Sequence, residues 1–132
     1  MNSSTDQTAG LKRRADRRSL IAALALDVVS VAVFCAIGRR SHAEGVDIAG
    51  VAQTAWPFLT GTAIGWLLSR GWRRPTAVAP TGVVIWICTI AVGMLLRGLT
   101  GQGVAVSFIL VASTATAVLL LGWRTVARLS GR

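Results

Sequence analysis

An all-α fold, a bundle of four transmembrane helices in up-down-up-down order with both termini cytoplasmic, is predicted by three features of this 132-residue sequence. The first is composition: 53% of residues are hydrophobic and 14% charged, against about 25% charged in ordinary soluble domains. The second is the presence of four apolar stretches, each near the length of about 20 residues that spans a bilayer core of about 30 Å. The third is the placement of Lys and Arg between those stretches. With a mean hydropathy of +0.62, the chain excludes a soluble enzyme with a separate cofactor domain, an extended disordered protein and a disulfide scaffold.

Residues 1–19 are polar and then basic, with Lys12, Arg13, Arg14, Arg17 and Arg18. They predict a disordered cytoplasmic tail ending in a patch for anionic headgroups. Nucleic acid is not the expected partner, because positive charge beside a span already has a topological explanation. The membrane domain is expected over residues 20–126, with spans at about 20–38, 51–69, 81–96 and 104–123. The third span reaches Leu99 if Arg97 snorkels. Residues 127–132 form a short basic tail. A cleaved signal peptide is the rival for the first span, since Arg17-Arg18 precedes it and Ser41-His42-Ala43 resembles a cleavage site. The run of about 19 apolar residues exceeds the usual apolar region of about 7–15, and Arg39-Arg40 sits just before the cut, so retention is favoured.

With four spans, the tails and the second loop share one side. That side carries eleven Lys and Arg, including Arg70, Arg73, Arg74, Arg124, Arg128 and Arg132; the other carries Arg39, Arg40 and Arg97. The excess predicts N-in and C-in topology in the cytoplasmic membrane. Trp66, Trp72 and Trp123 are expected in an aromatic belt on that side, with Trp86 slightly deeper. Cys35 and Cys88 are expected as free, buried thiols, because they fall at depths too different for a disulfide. An offset of 57 residues aligns Arg40 with Arg97, Gly65 with Gly122 and Trp66 with Trp123. This is a faint sign of two parallel helical hairpins.

Asp27 is the sharpest chemical feature. A charged Asp at the centre of a span costs about 2.5–3.5 kcal/mol on the insertion scale, so it is expected to face the bundle interior. Thr62, Thr89 and Thr116 lie at matching depth on the other spans and with Asp27 form a candidate intramembrane polar site. That layer reads either as a proton or cation site or as a protonated Asp joining two helices through a hydroxyl. Arg39, Arg40, His42 and Arg97 form a candidate outer anion or headgroup site; the competing reading is a solvated helix end. Pro57 predicts a kink, since it removes a backbone donor and crowds the Gln53 carbonyl. Gly61-Thr62-Ala63-Ile64-Gly65 is a GxxxG pattern, and similar small-residue patterns in the first and fourth spans favour tight packing, with a homo-oligomer as one outcome. No phosphate-binding, dinucleotide or zinc-protease signature is present, and no catalytic residue, metal or cofactor is expected.

Taken together, Asp27 with Phe34, Gly38-Arg39-Arg40-Ser41-His42, Trp56-Pro57-Phe58, Trp86 with Thr89, Gly93-Met94-Leu95 with Arg97, and Gly122-Trp123-Arg124 are distinctive. Over residues 20–126 this pattern resembles the bacterial and archaeal membrane proteins grouped as domain of unknown function 3054. The resemblance implies a small four-span protein of the cytoplasmic membrane and implies no reaction.

Two function classes follow from the residues. One is proton- or cation-linked transport of a small solute, with Asp27 as the titrating group. The other is a non-catalytic packing or partner-binding membrane protein. A lipid-modifying enzyme using His42 and Glu44 ranks third.

Overall fold

The computed structural model describes residues 3–41 and 47–130, the side chains of Arg40 and Ser41 excepted. Four helices account for most of it: α1 Ser3–Ser41, α2 Ile48–Ser69, α3 Val83–Leu99 and α4 Val106–Leu129. No strand occurs among the described residues. Each helix runs antiparallel to the one before it. Arg39 on α1 meets Thr54 on α2, while Asp27 meets Trp66. Phe58 on α2 lies against Gly93 on α3, and Gly65 against Ile85. Arg97 on α3 covers Phe108 on α4, whereas Gly82, just before α3, approaches Arg124. The order is therefore up-down-up-down, and α4 returns to pack on α1.

The helix bounds depart from the expected spans in four places. The basic N-terminal segment is helical from Ser3, not disordered. Residues 11–18 are Leu, Lys, Arg, Arg, Ala, Asp, Arg and Arg, mostly strong helix formers. Extending a helix that the span has already nucleated requires no second nucleus. At 1.5 Å per residue the 39 residues of α1 extend about 58 Å, roughly twice the thickness of a bilayer core. Secondly, α3 starts at Val83 after an irregular turn, Val78–Gly82, that contains a cis Ala79–Pro80 bond. It runs on through Arg97 to Leu99. Thirdly, α4 continues past Trp123 to Leu129, taking in part of the expected tail. Lastly, α2 begins at Ile48 and continues through Pro57, which is buried.

Three stretches, within Ser3–Arg39, Val78–Leu99 and Val106–Leu129, are long and apolar enough to cross a membrane. α2 is not among them, because Gln53, Trp56, Pro57 and its Thr and Gly residues dilute the apolar run. Those small residues serve packing instead. A Cβ at Gly65 would lie 2.7 Å from the Ile85 Cα, and one at Gly61 would run into the Cys88 carbonyl oxygen. The GxxxG pattern thus brings α2 onto α3 within one chain, as close packing in an apolar medium requires. It is used up there and no longer argues for an oligomer.

The core divides along the bundle axis. Near one end, all three phenylalanines of the chain meet: Phe34 and Phe58 are edge to face at 5.5 Å, and Phe108 lies 6.3 and 6.4 Å from them. Val31, Cys35, Ala55, Met94 and Ala112 complete this cluster. Towards the other end, Ala23, Trp66 and Ile85 form a smaller one, with Leu20 and Trp123 packed against it.

Candidate functional site

Asp27 sits in the smaller core with none of its surface exposed, and so does Arg124. The two form a bidentate ion pair: Nη1 donates to Oδ1 at 2.8 Å and Nη2 to Oδ2 at 2.7 Å. Each carboxylate oxygen also accepts from an indole, Oδ2 from Trp66 Nε1 and Oδ1 from Trp123 Nε1, both at 2.9 Å. An ionised carboxylate offers about four acceptor positions, and here four donors occupy them. The guanidinium is held just as closely. Its Nε donates to the Pro75 carbonyl at 3.0 Å and Nη1 to the Leu120 carbonyl at 3.1 Å, and its carbon lies 4.4 Å from the Trp123 ring centre. This clasp ties α1, α2, α4 and the α2–α3 connection together. A buried ion pair is tolerable only when its remaining donors and acceptors are satisfied in this way.

The sequence reading counts Arg124 among the charges on the cytoplasmic side and places Trp66 and Trp123 in a belt. The structure turns all three inward onto Asp27. An arginine one residue beyond an apolar run can point its long side chain either way. A buried carboxylate that needs a cation decides the direction, and Arg124 is the first charged residue after the α4 apolar run. The 57-residue offset carried a further signal, since the two tryptophans that it aligns donate to the two oxygens of one carboxylate.

The threonines at matching depth do not join this clasp. Thr62 and Thr89 meet each other, Oγ1 to Oγ1, at 2.6 Å, and each also bonds its own helix at Phe58 and Ile85. Thr116 donates to the Ala112 carbonyl at 2.6 Å. The expected layer is thus three separate arrangements, and the protonated Asp bonded to a hydroxyl gives way to an ion pair bonded to two indoles. Depth was matched, but the direction in which each side chain leaves its helix was not.

At the opposite end the bundle opens into a cleft of about 730 Å³ lined by Arg39, Gln53, Thr54, Trp56, Arg97 and Phe108, among others. Arg39 Nη1 donates to Thr54 Oγ1 at 3.1 Å, and Asp47 lies beside it at Gly50. Arg97 donates from Nε to the Gly103 carbonyl at 3.1 Å and from Nη1 to Gln102 Oε1 at 3.0 Å. Its guanidinium carbon stands 4.5 Å above the Phe108 ring centre, a cation–π contact. Two of the expected outer-site residues, Arg39 and Arg97, therefore share one cleft. The Arg40 side chain and His42 lie outside the described residues. Cys35 borders the cleft from the core and is buried, whereas Cys88 is half-buried; both are free thiols. Among the described residues no three His, Cys, Asp or Glu side chains are grouped to hold a metal.

Both ends of this bundle lie within residues 24–127, which match the family model described as a protein of unknown function, DUF3054. The chain belongs to that family. The matched stretch runs from just before Asp27 to just beyond Arg124, so it takes in the whole clasp and both cleft arginines. No curated protein and no solved structure matches the chain.

Proposed function

We propose that this protein is a non-catalytic, multi-pass protein of the cytoplasmic membrane that binds a small ligand in the cleft between Arg39 and Arg97. The observation that carries the reading is the cleft itself. Its volume of about 730 Å³ falls within the range of about 300–1,000 Å³ typical of small-molecule sites, and charged, amide and aromatic groups converge on it. The eleven-to-three distribution of Lys and Arg supports both termini inside. The exposed basic turns of α1 at Lys12–Arg18 then meet the anionic headgroups of the inner leaflet. The absence of any recognisable catalytic motif in the sequence supports binding over catalysis.

Proton- or cation-linked transport through Asp27 is less well supported. Its carboxylate has no exposed surface, and every acceptor position has a protein donor. A carrier of protons or cations needs a carboxylate that its cargo reaches.

The test is to fill the cleft. Gly38 and Gly103 line it, and a Cβ at either meets no described atom within 4 Å, so Gly38→Phe and Gly103→Phe are the variants that fill the space. Native mass spectrometry of protein released from membranes should show a retained small molecule on the wild type that both variants lose. Equal adducts on all three proteins would refute the reading.

A further inference from the structure

We propose that the groove between α1 and α4 at the clasp end of the bundle holds an anionic phospholipid, with an acyl chain along Ala22, Ala23 and Val126 and its phosphate beside Arg18. This site is separate from the cleft at the other end.

The groove begins where the clasp stops. Asp27 and Arg124 tie α1 to α4, and Leu26 and Trp123 border the groove beside that tie. Ser19 borders it further out, about 10 Å along α1 from Leu26 at 1.5 Å per residue. Between these limits the side chains are small, Ala22 and Ala23 on α1 and Ala127 on α4, and a space of about 600 Å³ remains. At the depth of the acyl chains such a gap is not left empty. Its walls would lose their dispersion contacts, and an apolar gap offers water few partners.

Polarity then changes in the order of a phospholipid. The walls nearest the clasp are apolar. Ser19 and Thr76 border the groove with hydroxyls, donors that suit the ester carbonyls of a lipid, whereas the Ser130 hydroxyl donates to the Ala127 carbonyl. Cations follow. Arg18 is four residues before Ala22 and so its neighbour on the helix surface, and Arg73 and Arg74 come just before Thr76; all three are exposed. Asp16, three residues before Ser19, is the acid of this rim, and Lys12, one turn further out on α1, is set against it. The excess is positive. Residues 131 and 132, outside the described residues, add an arginine and no acidic side chain. A second copy of the chain suits the groove less well, because its own end carries the same excess and the two would repel.

The experiment uses the full chain in nanodiscs of equal parts palmitoyl-oleoyl phosphatidylglycerol and palmitoyl-oleoyl phosphatidylcholine. Native mass spectrometry reads the phospholipid that stays on the protein. Phosphatidylglycerol should be retained about fivefold over phosphatidylcholine, the size expected for one basic residue near the head. Arg18→Gln should remove most of that preference, and Arg17→Gln should keep it. The two changes remove the same charge at nearly the same depth, but Arg17 neighbours Ile21, which is exposed and does not line the groove. Ala22→Phe fills the groove from an exposed position and should release both lipids. Circular dichroism confirms that each variant is folded. Equal losses in Arg17→Gln and Arg18→Gln would reduce the effect to the general charge of this end and overturn the proposal. So would equal retention of the two lipids, a folded Ala22→Phe protein that keeps its lipid, or a lipid-free dimer.

Discussion

The two ends of the bundle use the same residue types to opposite effect. At the clasp, Arg124 and two tryptophans are closed around Asp27 with no exposed surface on either charge. At the cleft, Arg39 and Arg97 are half-buried beside Trp56 and Phe108, and the space between them is open. Cation, aromatic ring and polar neighbour are present at both. The difference is enclosure. Where the chain supplies its own anion at the centre of the arrangement, the guanidinium becomes part of the framework. Arg39 and Arg97, by contrast, border a void of ligand size. A buried charge therefore does not by itself mark a working site; how fully its partners enclose it decides which role it takes.

Five substitutions test that contrast, beginning with the largest effect. Replacing one member of the clasp, as in Asp27→Leu or Arg124→Met, should destabilise the fold by about 3–5 kcal/mol, because the remaining charge is left buried and unpaired. The double variant should be milder than either single one, since a buried pair replaced on both sides is often nearly neutral. Unfolding free energies from steric trapping in bicelles measure this, and additive single losses would break the account of an ion pair. Gly61→Ala comes next. Its methyl meets backbone atoms of Cys88 and Thr89, which a side-chain rotation cannot clear, so a cost of about 1–3 kcal/mol is expected. An unchanged unfolding free energy would mean that α2 and α3 are less tightly docked than described.

At the cleft the expected stability effects are smaller. Arg97→Gln removes the contacts to Gly103, Gln102 and Phe108, which lie at a partly solvated end, so a loss below about 1 kcal/mol is expected. A clasp-sized loss would make the two ends alike. Thr89→Val is the mildest. Thr62 keeps its bond to the Phe58 carbonyl, and hydroxyl bonds between membrane helices average about 0.6 kcal/mol. A loss above about 2 kcal/mol, read from the same unfolding assay, would show that the Thr62–Thr89 pair belongs to a larger network.

The helices were legible because each span of a bilayer demands an apolar run of fixed length, and such runs are visible without any partner. Their antiparallel order followed from loops too short to cross the membrane again. The second stretch was read as a span in the same way, yet α2 is not among the stretches apolar enough to cross a membrane, since packing against α3 requires the Gly and Thr residues that lower its hydropathy. The N-terminal extension of α1 was hidden for a different reason: a charged tail of good helix formers is polar enough to read as disordered, and only its attachment to a nucleated helix makes it helical. For the site, Asp27 stood out because a carboxylate in a span is costly. Its partners did not, because Arg124, Trp66 and Trp123 sit at the ends of apolar runs, where outward and inward orientations are equally compatible with the sequence. Thr62 and Thr89 met because they share both depth and facing direction, whereas Thr116 shares depth alone. Arg39 and Arg97 came together because both close the same end of the bundle.

The central claim is that the cleft, not the clasp, is the working site. Small-molecule retention by Gly103→Phe, read by native mass spectrometry with the unfolding free energy recorded on the same preparation, tests it most directly. The account predicts loss of the retained molecule with stability close to that of the wild type, because a Cβ at Gly103 meets no described atom within 4 Å. Unchanged retention in a folded Gly103→Phe protein would contradict it.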